Sequence, residues 1–175
     1  MEDSFFDSLD RLEYVAFFAG YPLVYTCIQY LSGRLSNKQN TKIKITDLLP
    51  FGYALVGTLY VGLQLRNLFP DYSIEHIKSN FQHPVLKCWA FLSLLCWIPA
   101  IARIRAISLF HSFIFMTLWL KDILFQQFFN TIPDVLIIRN EMKIYTDSLL
   151  LNFGTYSIVF LGFTIFRRYR HSPPK

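Results

Sequence analysis

Five stretches of the chain carry no Asp, Glu, Lys or Arg: residues 14–33, 48–65, 88–102, 106–120 and 148–166. Charge this unevenly spread constrains the fold more than any motif. A helix that crosses a bilayer needs about 20 mainly apolar residues, with a range of about 17–25. The first, second and fifth stretches meet that length unaided. The third and fourth meet it with their flanks, Lys87 near one end of the third and Lys121 and Asp122 near one end of the fourth. Long cationic side chains in such positions snorkel to the headgroups. The pattern predicts an all-α polytopic membrane protein, a bundle of five transmembrane helices at about 12–32, 47–68, 84–103, 105–127 and 146–167. A re-entrant hairpin over the third and fourth stretches is the four-span alternative. Pro22 and Pro99 fall inside the first and third spans and predict kinks there.

Composition agrees. Of the 175 residues 53% are hydrophobic and 17% charged, where soluble domains carry about 25% charged. That excludes an ordinary soluble enzyme, a disordered chain and a disulfide scaffold. The composition also resembles that of small membrane proteins from AT-rich bacterial genomes, a likeness that extends to no motif and no residue.

Orientation follows from the basic residues. Five spans place 33–47, 103–105 and 167–175 on one side. That side holds Arg34, Lys38, Lys42, Lys44, Arg103, Arg105, Arg167, Arg168, Arg170 and Lys175 against one acid, Asp47. The opposite side holds seven bases and eleven acids. Lys/Arg-rich loops stay cytoplasmic, which predicts an N-terminus outside, a C-terminus inside and a multi-pass protein of the plasma (inner) membrane. The +5 net charge becomes a split of +9 inside and −4 outside, and topology accounts for it without nucleic acid. The acidic start (Glu2, Asp3, Asp7, Asp10) is unlike a cleavable signal peptide, and no lipidation motif is present.

No linker or long repeat divides residues 1–175, so a single transmembrane helical domain is expected. Phe5, Phe6, Leu9 and Leu12 suggest a short outer amphipathic helix, and Ile74, Ile77 and Phe81 a second one in the 72–83 loop. Thr131–Asp134 should end the fourth helix, with the β-branched run Val135–Ile138 forming a short strand or an interfacial turn. The tail 168–175 is basic.

Three sets of residues are candidates for function. Small residues let helices approach closely in lipid: Ala16 and Gly20, then Ala54, Thr58 and Gly62, then Ser108 and Ser112. They serve packing within the bundle or self-association. Arg66, Gln64, Lys121, Asp122, Asp147 and Asn152 fall near the outer boundary by rise per residue. They read as an anchoring ring with an Arg66–Asp122 ion pair, or as an outward polar mouth of a pore or ligand site. The nine inner bases Arg34, Lys38, Lys42, Lys44, Arg103, Arg105, Arg167, Arg168 and Arg170 form a face for a soluble partner. His111 lies inside the fourth span without a second histidine nearby, which fits a hydrogen-bonded packing role and no haem. Cys27, Cys88 and Cys96 form no Cys-x-x-Cys pair and read as packing. No metal cluster, P-loop or nucleophile motif is present, so no cofactor is expected.

These features predict a non-enzymatic membrane protein acting through assembly. It is either a homo-oligomer or an accessory subunit docking a soluble cytoplasmic partner at its basic face. The alternative is a small channel or ligand-binding membrane protein. The expected partners are the lipid bilayer, further copies of the chain or a soluble cytoplasmic protein, and no nucleic acid directly.

Overall fold

The computed structural model describes residues 14–35, 45–69, 84–129 and 135–170. All regular structure among them is helical, with no strand. The helices are α1 (Tyr14–Ala19), α2 (Tyr21–Leu35), α3 (Leu49–Leu68, entered through a 3₁₀ turn at Ile45–Leu48) and α4 (Pro84–Phe91). A 3₁₀ segment, Leu92–Trp97, follows α4. Then come α5 (Pro99–Ala102), α6 (Arg105–Phe129) and α7 (Val135–Arg170). The helical stretches lie on the five charge-free runs.

Apolar composition makes these runs helical, because a helix pairs its own backbone groups and needs no neighbour to do so. Two helices are long and apolar enough to cross a membrane: Thr46–Leu68 and Met142–Tyr169. The third run is shorter as regular α-helix but not in reach. Its 3₁₀ residues rise about 2.0 Å each rather than 1.5 Å, so Pro84–Ala102 extends roughly 30 Å.

Two spans expected as single helices are interrupted. The first divides at Gly20, which holds a turn conformation between α1 and α2. The third divides at Ile98, with φ −74° and ψ 118°. Pro99 has no N–H and its ring disfavours the α conformation for the residue before it, so Ile98 is extended. The turn is carried by Ile98 N–H donating to Leu95 O (3.0 Å) and Ile101 N–H to Ile98 O (3.0 Å). The run Val135–Ile138, expected as a strand or turn, is the first turn of α7. Helix propensities of β-branched residues are lower than alanine's by only about 0.7 kcal/mol or less, and an isolated strand has nothing to pair with. α7 therefore begins at Val135 rather than near 146 and runs 36 residues, about 54 Å.

Side-chain contacts give the directions. Gln64 meets Lys87, Tyr60 meets Phe91 and Phe51 meets Trp97, so α3 runs antiparallel to the α4–α5 segment. Tyr21 meets Ser108 while Phe18 meets Ser112 and Phe115, so the first segment and α6 are antiparallel. Gly52 lies against Tyr156, and Phe17, beside Tyr60, meets Asn152. α7 thus descends beside an ascending α3. An Arg105–Asp47 ion pair ties the starts of α6 and α3 together at one end.

The core is aromatic. Phe17, Phe18, Tyr53, Tyr60 and Phe115 are all fully or almost fully buried. Phe18 sits at its centre, stacked on Phe115 at 4.9 Å and edge-on to Tyr53 and Tyr60, both at 5.6 Å. Outward faces carry large apolar side chains, among them Leu31, Phe110, Phe113, Leu150, Ile158 and Leu161. The expected amphipathic segments 4–12 and 72–83 lie outside the described residues.

Candidate functional site

The polar groups of the interior gather at the interruption of the first segment. A helix break frees backbone groups: Pro22 brings no N–H to the carbonyl of Phe18, four residues earlier. Three consecutive carbonyls, those of Ala16, Phe17 and Phe18, accept hydrogen bonds from side chains of other helices. Ser148 Oγ donates to Ala16 O, Asn152 Nδ2 to Phe17 O (2.9 Å) and Ser112 Oγ to Phe18 O (2.6 Å). The N–H of Gly20 donates to Ser148 Oγ (3.0 Å). The Ser148 hydroxyl is thus inserted between Gly20 N–H and Ala16 O, where an unbroken helix would have made a direct bond. Ser112, Ser148 and Asn152 are all buried. Buried groups cannot turn to water, so neighbouring helices must supply the partners.

Gly20 is required by that contact. A Cβ there would lie 2.8 Å from Ser148 Oγ and 2.9 Å from the backbone nitrogen of Leu149. Gly57 is the second close approach: its Cβ would collide with the Ser93 hydroxyl and lie 3.0 Å from Ser93 Cβ.

One layer away lies a second polar group. His111 Nε2 is 2.7 Å from the carbonyl of Trp89, which only accepts, so Nε2 carries a proton. In the neutral imidazole Nδ1 is then the acceptor, and Tyr53 donates its hydroxyl to it at 2.6 Å. The imidazole also stacks on the Trp89 ring, 5.1 Å between centroids and 10° between planes. Tyr21 and Ser108 share a hydrogen bond of 3.0 Å, and Ser108 donates to Arg105 O. His111 is therefore a packing histidine held at both nitrogens.

The residues singled out in the sequence separate. Of the small residues, Ala16, Gly20, Ala54, Ser108 and Ser112 are buried inside the bundle. Thr58 is exposed and accepts from Trp97 Nε1 (2.9 Å), and Gly62 faces open space. Of the outer polar residues, Gln64 accepts from Lys87 Nζ at 3.3 Å. Arg66 and Lys121 are exposed and Asp147 is half-buried. Asn152 is instead at the helix break, inside. The side chain of Asp122 lies outside the described residues, and with it the expected Arg66–Asp122 pair. Of the basic face, Arg103, Arg167 and Arg168 are exposed and Arg105 pairs with Asp47. Lys38, Lys42, Lys44 and the side chains of Arg34 and Arg170 lie outside the described residues. Ser148 was not singled out in the sequence. A hydroxyl in an apolar helix gives no local sign that its partner is a broken helix more than a hundred residues away.

No known protein family, curated protein or solved structure matches the chain. Among the described residues no group of three or more His, Cys, Asp or Glu side chains is placed to hold a metal ion.

Proposed function

We propose that the protein is a five-span integral membrane protein, N-terminus outside and C-terminus cytoplasmic, that acts through assembly rather than catalysis. Antiparallel packing of the second helical stretch with the third and the fifth, and of the first with the fourth, supports the alternating topology. The apolar outer faces of α2, α6 and α7 support a lipid environment, since water would leave large apolar patches unstable against aggregation.

The observation that carries the assembly reading is the contrast between α3 and α7. Of the apolar window in Thr46–Leu68, 56% is buried inside the bundle; in Met142–Tyr169 only 17% is. α7 is joined to the bundle along one side, through Ser148, Asn152 and Tyr156. Its other side presents Leu150, Ile158, Leu161 and Ile165. At its end stand the exposed Arg167 and Arg168. A helix with that much exposed apolar surface and a cationic end fits a subunit that meets a second copy in the membrane and turns its exposed basic end toward a soluble acidic partner. Light scattering on the protein in mild detergent or in nanodiscs tests this. A defined dimer or higher oligomer is expected, and Ile158→Trp or Leu161→Trp should dissociate it. A monomer at all protein concentrations overturns the homo-oligomer.

A second reading, a small ligand or ion entrance at the outer end, is favoured by the Lys87–Gln64 hydrogen bond. That pair sets a cation of the third span on Gln64, two residues before Arg66 on α3. A Lys87→Met variant with unchanged ion flux in reconstituted vesicles, where the wild type conducts, removes it.

A further inference from the structure

The last turns of α7 run past the rest of the bundle. The side of α7 that meets the bundle is the strip Asn152, Tyr156, Phe160 and Phe163, at helical spacing. Asn152 donates to Phe17 O, Tyr156 lies against Gly52, and Phe160 and Phe163 pack on the aromatic core. The next residue on that strip is Arg167, and it is exposed. Heights along the helices explain why. From Gly52 back to Asp47 the chain falls about 8 Å through the 3₁₀ turn, whereas from Tyr156 on to Arg167 it falls about 16 Å. Arg167 therefore overhangs the starts of α3 and α6, which the Arg105–Asp47 ion pair ties together, by roughly 8 Å. The opposite strip, Ile158, Leu161, Ile165 and Tyr169, stays exposed and apolar to its end. An apolar stripe that faces lipid along its length carries the bilayer down to Tyr169, a ring of the kind that sits at headgroup level. The end of the bundle is thus recessed behind α7, and a step is left between them.

We propose that anionic phospholipid of the inner leaflet fills this step, its phosphates on Arg167 and on Arg103 in the turn before α6, its chains on the apolar side chains beside them. Charge is the first argument. Arg103, Arg167 and Arg168 are exposed, and Asp47, the one acid at this end among the described residues, is spent on Arg105. A guanidinium matches a phosphate through two parallel N–H bonds, so each arginine can take its own headgroup. The second argument is what lies between the cations. Ile104 is 56% exposed, Phe166 65% and Tyr169 78%. A phospholipid brings a phosphate and an acyl chain on one molecule and covers both kinds of group, whereas a soluble acidic segment pairs the arginines and leaves Phe166 and Tyr169 bare. Basic recesses between helices on the cytoplasmic side hold anionic headgroups in this way. The proposal rests on the five-span membrane reading and puts lipid, ahead of a soluble partner, on these arginines.

Thermal unfolding of the full chain in mild detergent tests it, with phosphatidylglycerol, phosphatidylcholine, inorganic phosphate and polyglutamate added in turn. The expected result is a saturable rise in the midpoint of ~3 °C or more with phosphatidylglycerol over phosphatidylcholine. The increment should shrink in Arg167→Gln, vanish when Arg103→Gln is added, and persist in Lys143→Gln near the other end of α7. Should the double variant fail to fold, native mass spectrometry of the wild type replaces it, with phosphatidylglycerol retained on the chain in preference to phosphatidylcholine. Equal rises or equal retention with the two lipids overturn the proposal. So does an equal rise with inorganic phosphate or polyglutamate, or an equal loss in Lys143→Gln. Flotation with phosphatidylcholine vesicles separates its failure from that of the membrane reading. A chain that floats but shows no phosphatidylglycerol increment sinks the lipid step alone, and a chain that does not float sinks both.

Discussion

At the scale of single residues the chain is governed by backbone groups that lack backbone partners. Ser148 serves two of them at once, accepting from Gly20 and donating to Ala16. Ser148→Ala should therefore leave a buried N–H and a buried carbonyl unpaired and lower stability by about 1–2 kcal/mol in detergent unfolding. Pro22 and Ser112 make a sharper pair. Pro22→Ala restores an N–H that Phe18 O can accept, so Ser112→Ala should cost about 1 kcal/mol alone and distinctly less in the Pro22→Ala background. Additive losses would show that Ser112 does not act through that carbonyl. Some of this was legible in the sequence. Pro22 within an apolar run announces a broken ladder, and His111 among aromatics announces a hydrogen-bonded packing group. The inward orientation of Asn152 was not legible: rise per residue gives its height on α7, and only the packing shows that it is buried against the Phe17 carbonyl.

At the scale of elements, close approach is concentrated at three glycines. Gly20 meets Ser148, Gly52 meets the Tyr156 backbone (Cβ to Cα 3.0 Å) and Gly57 meets Ser93, whereas Gly62, Gly154 and Gly162 have nothing within 4 Å. Gly57→Ala should lower stability by about 1–3 kcal/mol, the usual cost of overpacking a core. Gly62→Ala and Gly162→Ala should change the unfolding midpoint of the isolated chain little or raise it, since each removes a glycine from a helix. The small-residue pattern in the sequence named Gly20 and Gly62 alike. Spacing along one helix places small residues on a common face and does not say whether another helix lies against it. Gly57 escaped notice because its partner is a 3₁₀ segment, and nothing in Leu92–Trp97 separates 3₁₀ from α by composition.

At the scale of the whole molecule, the charge-free runs were the most legible feature, since each became helix. Helix is what an unpaired apolar segment must form where water is scarce, so charge placement alone suffices. Continuity was less legible, because a proline tells where a helix yields but not which neighbour repairs it. Cys27 gives a direct check on the membrane reading, being exposed and mid-way along α2. In intact membranes it should react with a lipid-soluble maleimide and resist a charged one, and reactivity toward the charged reagent at the same rate would place α2 in water. The repair of the first segment also has a consequence in time. A chain is made from its N-terminus, and the carbonyls of Ala16, Phe17 and Phe18 wait for hydroxyl and amide groups on α6 and α7. The earliest helix made is therefore incomplete until the latest arrives. A chain stalled before Ser148 would display bare acceptors, a chemical mark by which a quality-control protease could tell a nascent fragment from a finished protein.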